Sequence, residues 1–502
     1  MEYWTILVAI VTVLLGVHYI LTNFNYLKRN GILQVPSLPI LGNMAAVIFR
    51  RRPFADHVRK LYNYKPDAKY IGFHFMTHPV ILLRDPELIK KVFVKHFDLF
   101  PHRDGFGRLD DSLFLRNVSA LHGQEWRDVK TLLCSAFTPN KMKIIYTLMT
   151  EYAMDFAKSL SKISDDESET NVKDIFFKYT NDVIATCAFG IKVNSTDFYF
   201  HAKELTGFIR NNPFKFLFYR AFPVLFNFFR LKLISDDSNI FFKNTIKTVI
   251  TTRDAENITR PDMIQLMMDI RGKCKGEREL CIDDMVAQAF IFFFTGCEIV
   301  STVMSYVAYE LAAYPDVQEK LRQEIDDVLE KSTGEITYEA INRLQFLDAV
   351  TNEVLRLHPP GHVAERICEG AYELPPALPT EKSIVLKKGQ VIWFPIYAIH
   401  RDAKYYDEPE KFCPERFLGK NVHYNSPCYA PFGLGPRMCL GNRFALLEVK
   451  VLIFHLLAHC ELKPCAKSTF PIKLCANRLD MLPEGEIWLN IQRRNNVYSK
   501  IT

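Results

Sequence analysis

The chain has 502 residues, 48% apolar and 24% charged, a balance that excludes intrinsic disorder and collagen-like or repeat-tract architectures. A net charge of +6 is modest for this length; it gives no basis for nucleic-acid binding but suits docking to acidic partners or an anionic membrane face. Twelve cysteines without a regular framework, in a chain too large to need staples, read as reduced thiols in a cytosol-facing body, and the lack of Pro/Gly/Ser linkers predicts one large core.

In chain order, residues 3–25 are uncharged and rich in Ile, Leu and Val, stopping at Lys28 and Arg29. The run is long enough to cross a bilayer. A cleaved signal peptide is disfavoured, because Glu2 rather than a basic residue precedes the run and no small-x-small site closes it. Basic residues after the run keep that side cytoplasmic. Residues 1–27 are therefore read as an uncleaved membrane anchor, 28–43 as a basic, proline-containing hinge and 44–502 as the body. Residues 69–75 and 79–83 read as a β hairpin turning at Thr77-His78. Helical spacing follows over 123–140, 141–161 and 171–189, interrupted by prolines 139, 213 and 223. The stretch 208–229 is dense in phenylalanine interleaved with Lys215, Arg220 and Arg230, which fits core packing and a surface dipping into a membrane interface equally well.

A helix capped by Asp283-Asp284 is predicted over 285–309, with Glu298 as its one charge. Hydropathy alone makes it a membrane span. A carboxylate in mid-run gives nothing to a lipid-facing helix, and an all-apolar helix is also what the centre of a large core requires. The core position is preferred. Strand-like runs return at 391–399 and 486–491. Glu353 and Arg356 share one face of a helix that Pro359-Pro360 must end.

The run Phe432-Gly433-Leu434-Gly435-Pro436-Arg437-Met438-Cys439-Leu440-Gly441 sets one thiol beside a permanent cation, with glycines 433, 435 and 441 free to take positive φ and to admit a flat ligand closely. A structural cysteine in a glycine-rich turn is the bland alternative. Zinc is disfavoured, because Cys428 and Cys439 are too far apart for a Cys-x-x-Cys knuckle and no paired histidines follow.

The spacing Phe-x-x-Gly-x-Arg-x-Cys-x-Gly is similar to the signature of the cytochrome P450 superfamily, and the resemblance extends from the hinge to about Arg494, most closely to insect microsomal enzymes of the detoxifying type. It implies a mainly α fold with a small β region, carrying an N-terminal transmembrane anchor helix. It further implies haem b, iron protoporphyrin IX, with Cys439 as the metal's thiolate ligand. Phe432, Arg437, Arg103, Trp126, Lys130 and Arg366 fall at cofactor-binding positions; the family usually presents Trp-x-x-x-Arg where this chain has Lys130, which lacks the bidentate fork. Pro414-Glu415-Arg416-Phe417 resembles the family's Pro-Glu-Arg-Phe segment, so Glu353, Arg356 and Arg416 are expected to form a buried charge triad bracing the Cys439 loop.

Thr295-Gly296-Cys297-Glu298-Ile299 resembles the family's oxygen-binding segment, giving Gly296, Glu298 and Ile299 as catalytic positions, but Ile299 stands where a threonine hydroxyl is usual. Oxygen chemistry there consumes protons, which a sec-butyl group cannot order. Protons then arrive through Glu298 and water, or a substrate hydroxyl substitutes, or the enzyme is a reductase-independent isomerase or dehydratase acting on peroxides; the first route is preferred. Substrate contacts are expected from 112–115, above all Phe114, and from Thr295, Ile299, Val363, Ala364 and Leu479. The implied activity is monooxygenation of lipophilic small molecules, in xenobiotic or endogenous lipid or hormone metabolism. Electrons come from NADPH through a flavoprotein reductase docking near Arg127 and Lys130, with cytochrome b5 as an optional second donor, at the endoplasmic reticulum membrane.

Overall fold

The computed structural model describes residues 2–103, 105, 111–163, 169–191, 196–271, 280–332, 335–419 and 426–494. Helix α1 (Glu2–Arg29) is 28 residues long, about 42 Å at 1.5 Å per residue. Its first turns expose Tyr3, Trp4, Ile6, Leu7 and Val11. Its last turns dock: Leu27 is fully buried, and Phe24 stacks on His74 with centroids 5.2 Å apart.

Strands β1 (Tyr70–Phe75) and β2 (His78–Leu83) pair antiparallel as the predicted hairpin, with Met76 at φ 53 taking the turn and His78 already in β2. Further on, the prolines act as helix openers. The predicted helix over 123–140 divides into α2 (Gly123–Cys134), a 3-10 turn over Ser135–Phe137, and α3 (Pro139–Leu160). Pro139 heads α3 because the first helical residue needs no N–H partner and proline's fixed φ suits it. After β3 (Glu169–Asn171) and α4 (Val172–Phe189), the same logic starts α5 (Pro213–Ala221) and α6 (Pro223–Phe228); α7 (Asp236–Glu256) follows.

The long apolar helix comprises α8 (Ile282–Phe294), a π turn over Thr295–Ile299, and α9 (Val300–Ala313). Its cap is Cys281 rather than Asp283, with the Cys281 N–H donating to Asp284 at 3.1 Å. Among the described residues it is the one helix that passes a length-and-hydropathy test for a membrane span, and 72% of its most apolar window is buried inside the fold. It is the core helix, packed by α4, and by α10 (Pro315–Lys331), α11 (Gln345–Leu357) and α12 (Asn442–His459).

Strands β4 (Ala364–Ile367), β5 (Tyr372–Leu374), β6 (Ile384–Leu386), β7 (Val391–Phe394), β8 (Cys460–Lys463) and β9 (Trp488–Arg493) complete the chain. The sheets run β1-β2-β7-β4, β3-β9-β8 and β5-β6. The expected strand over 391–399 stops at Phe394, because Pro395 diverts the chain into a helical turn over Ile396–Ile399.

Burial holds four histidines neutral: His57 and His362 are pushed down to about 4, His400 and His455 to about 3. An unfolded chain takes up these protons near the ordinary value of 6.5, so below that pH it binds more protons than the fold does. The histidines' contribution is fully present above 6.5 and is lost as the pH falls toward 4 and then 3. Urea midpoints are expected to drop steadily from pH 7 to pH 5; a flat or rising series would contradict this.

Candidate active site

The loop that carries Cys439 is shaped by two glycines. Gly433 and Gly435 take φ values of 77 and 71, and a Cβ on Gly435 would lie 2.0 Å from the Phe93 carbonyl oxygen, so no other residue fits. Gly441 departs from expectation: its φ is −89, and a Cβ there would meet nothing within 4 Å. The loop closes through N–H groups of Gly433 on Ala430 and of Cys439 on Phe432, each at 2.9 Å. The thiol faces a cavity of about 710 Å³. Burial raises the Cys439 pKa, opposed by the Gly441 backbone and the charge of Arg103.

Cations gather along one lip of this cavity. Arg437 donates to the carbonyls of Pro101 (3.0 Å), Val118 (3.3 Å) and Leu121 (2.7 Å), with its guanidinium 4.0 Å over the Trp126 ring. Arg103 donates to the Arg437 carbonyl, and Lys130 to the Pro436 carbonyl. Arg366, 1% exposed, stands behind this lip and does not itself line the cavity; it lies over Phe93 and donates to the Glu365 and Leu434 carbonyls, while its buried Nε has no hydrogen-bond partner among the described residues. Burial and the neighbouring guanidiniums push Arg366 well below the usual arginine range and Arg437 down to about 9. The nearest carboxylate, Glu365, is taken by Arg220 in a two-bond pair at 3.1 and 2.6 Å. The cluster is short of anions.

Across the cavity stands the π turn. Ile299, Thr295 and Glu298 line the space. Gly296 lines it too and lets α4 approach closely, since a Cβ there would come within 2.5 Å of Ile184. Glu298 Oε1 lies 3.3 Å from both Lys173 Nζ and Arg210 Nη1, while Oε2 is buried with no hydrogen-bond partner among the described residues. Lys173, on α4, also donates to the Glu298 carbonyl at 3.0 Å and to Ser301 Oγ at 2.5 Å, so an ammonium occupies the groove that the π turn opens. Thr302 spends its hydroxyl on the Glu298 carbonyl at 2.7 Å.

Glu353 and Arg356 are wholly buried and share two bonds of 2.7 Å; Arg416 Nε stands 3.4 Å from Glu353. Arg356 also donates to the carbonyls of His400 (2.8 Å), Pro409 (2.7 Å) and Lys411 (3.1 Å), and the Cys413 N–H donates to Glu353 at 3.0 Å. The three charged groups are brought together as the resemblance implied, with Arg416 only partly buried.

A family profile described as cytochrome P450 matches residues 33–490. This chain belongs to the cytochrome P450 family. Relatives include cytochrome P450 9e2 of Blattella germanica, 38% identical over 94% of this chain and 95% of that one. Cytochrome P450 6B1 of Papilio polyxenes is 34% identical over 97% and 99%, and cytochrome P450 3A9 of Rattus norvegicus 33% over 99% and 97%. The protein is thus a P450 monooxygenase, an oxidoreductase whose family implies a haem iron cofactor and electrons drawn from NADPH. The expectation of a peroxide isomerase gains no support from these relatives.

The site fits haem on its own chemistry. A planar apolar ligand with two carboxylates at one edge matches a cavity with a thiol on its floor, two glycines with no Cβ (Gly433 and Gly441) and an uncompensated arginine cluster at its lip. One of the expected substrate contacts falls differently. Phe114 is packed edge-on between Phe208 and Phe290, rings 5.4 and 5.1 Å away, and does not line the cavity, because its short helix turns the ring into the core. Of the loop after Arg103, Asp104 and residues 106–110 lie outside the described residues. Val363, Ala364 and Leu479 do line the space. Sequence reasoning missed Lys173, Arg210 and the Arg220–Glu365 pair, whose partners lie more than 80 residues apart; no local period marks them.

Proposed function

We propose that this P450 is a reductase-fed monooxygenase of neutral, lipophilic small molecules, serving xenobiotic or endogenous lipid metabolism. Residues 1–27 anchor it once in the endoplasmic reticulum membrane, 28–43 form the hinge and 44–502 the cytoplasmic catalytic body. The observation that carries the substrate class is the cavity: apolar walls reach down to Cys439, and away from the arginine cluster at its lip two of the buried cations on those walls are already paired, Arg210 with Glu298 and Arg220 with Glu365. A charged substrate would have to break a buried pair to be bound.

Arg103, Arg366, Arg437 and Lys130, with Trp126 beneath, hold the haem carboxylates; Phe432 packs beside the thiolate of Cys439; and Glu353, Arg356 and Arg416 brace the loop. Haem, when bound, supplies oxygen activation and atom transfer to substrate. Thr295, Ile299, Val363, Ala364 and Leu479 position that substrate, and Glu298 moves protons through water. The exposed Phe214, Val224, Leu225, Phe228 and Phe229 form the membrane-dipping face, with Arg50 4.9 Å over Phe214; the buried Phe208 and Phe226 belong to packing. The anchor reading is supported by the exposed apolar side chains at the start of α1 and the basic residues at its end. The reductase docks near Arg127 and Lys130, and cytochrome b5 competes for the same face.

The test is turnover of a lipophilic panel by purified protein with reductase and NADPH. Product without NADPH use, or turnover of a fatty-acid hydroperoxide alone, would overturn the proposal. Ile299→Thr restores a hydroxyl facing the cavity and is expected to lower the oxygen consumed per product formed severalfold; an unchanged ratio would mean that the Glu298 route already compensates.

A further inference from the structure

α11 ends just after Arg356, where a helix leaves its last carbonyls without intrahelical partners. The Arg356 carbonyl accepts a hydrogen bond from Nδ1 of His400 at 3.2 Å, and the Arg356 guanidinium donates back to the His400 carbonyl at 2.8 Å. On the far side of the ring, the Ala430 N–H donates to His400 Nε2 at 3.0 Å. A carbonyl only accepts and an amide N–H only donates, so both contacts are met by one form alone: neutral imidazole with its proton on Nδ1. The ring is 0% exposed and stacks on Tyr429 at 5.4 Å. Tyr429 OH in turn reaches Asn352 of α11, at 2.8 Å from its side-chain oxygen.

Ala430 is held from both directions. Its carbonyl accepts the Gly433 N–H, and two residues later the Phe432 carbonyl accepts the Cys439 N–H, each at 2.9 Å. A continuous line of hydrogen bonds therefore runs from the charge-braced end of α11 through one imidazole into the loop that presents the thiol. Arg416, by contrast, spends a donor on the Glu408 carbonyl at 3.0 Å, away from that loop.

We propose that His400 is a positioning residue for Cys439: by accepting the Ala430 N–H it transfers the register of α11 to the thiolate loop, and so governs the strength of the sulfur's bond to iron. Burial keeps the ring an acceptor across the working pH range, its pKa pushed down to about 3. The inference rests on Cys439 being the haem ligand.

The test uses the full chain loaded with haem, comparing wild type, His400→Phe and His400→Gln by ferrous carbonyl spectrum and haem reduction potential. His400→Phe keeps the ring and its stack but removes both hydrogen bonds; His400→Gln keeps an acceptor oxygen for the Ala430 N–H. The expected result is that the Phe variant loses a large part of the thiolate-type red-shifted band to the shorter-wavelength thiol-type band and shifts in potential, while the Gln variant keeps the wild-type band. A Phe variant with unchanged band and potential overturns the proposal. If the Phe variant takes up no haem, a Gln variant with the wild-type band supports it, and a Gln variant that lacks the band or takes up no haem overturns it. Wild type without the red-shifted band would instead sink the ligand assignment, separately from the role of His400.

Discussion

Arg356→Leu is expected to yield almost no haem-loaded protein. Arg356 makes two 2.7 Å bonds to Glu353 and three more to the carbonyls of His400, Pro409 and Lys411, all from a fully buried position. The leucine would leave the Glu353 carboxylate in the core with Arg416 at 3.4 Å and one backbone N–H at 3.0 Å. Stranding a buried charge in this way costs about 3 to 5 kcal/mol, a large share of the ~5 to 15 kcal/mol that a native fold has in hand. Arg356→Lys keeps the charge but cannot serve five acceptors from one ammonium, so an intermediate yield is expected. The check is haem absorbance per protein with the thermal midpoint; a leucine variant with wild-type values would show that the triad braces nothing.

Glu298→Gln is expected to cut product formation by about 10² or more while NADPH oxidation continues, in keeping with loss of a positioned proton donor. Glutamine preserves the volume between Lys173 and Arg210 but can neither bind nor release a proton at this position. Thr302 cannot substitute, its hydroxyl being committed to a backbone carbonyl, and Ile299 has none to offer. The reducing equivalents should leave as hydrogen peroxide, with KM little changed because Thr295, Val363, Ala364 and Leu479 are untouched. Product, peroxide and NADPH measured together decide the matter. Full coupling in the glutamine variant would move the proton route elsewhere.

The thiolate loop, the Glu353–Arg356 pair and the core position of the long apolar helix were legible in sequence because each is written in a contiguous or helically spaced run. The π turn at Thr295–Ile299 was not, since no local pattern marks it and the side chain that bonds its Glu298 carbonyl, Lys173, comes from a helix more than 100 residues earlier. Prolines 139, 213 and 223 read as breaks and proved to be starts: a local signal marks the boundary but not its direction. Phe114 shows the limit of reading side-chain direction from position alone, because the turn of a four-residue helix decides whether a ring meets the cavity or the core. His400 carries no signal of its own, and its importance arises only when α11 and the loop at Ala430 are brought to opposite sides of one ring.

The most direct test of the account is the ferrous carbonyl spectrum of the purified holoprotein beside that of Cys439→Ala. The account predicts a thiolate-type red-shifted band in the first and none in the second; its absence from the first, or its survival in the second, would contradict the assignment of Cys439 and everything built upon it.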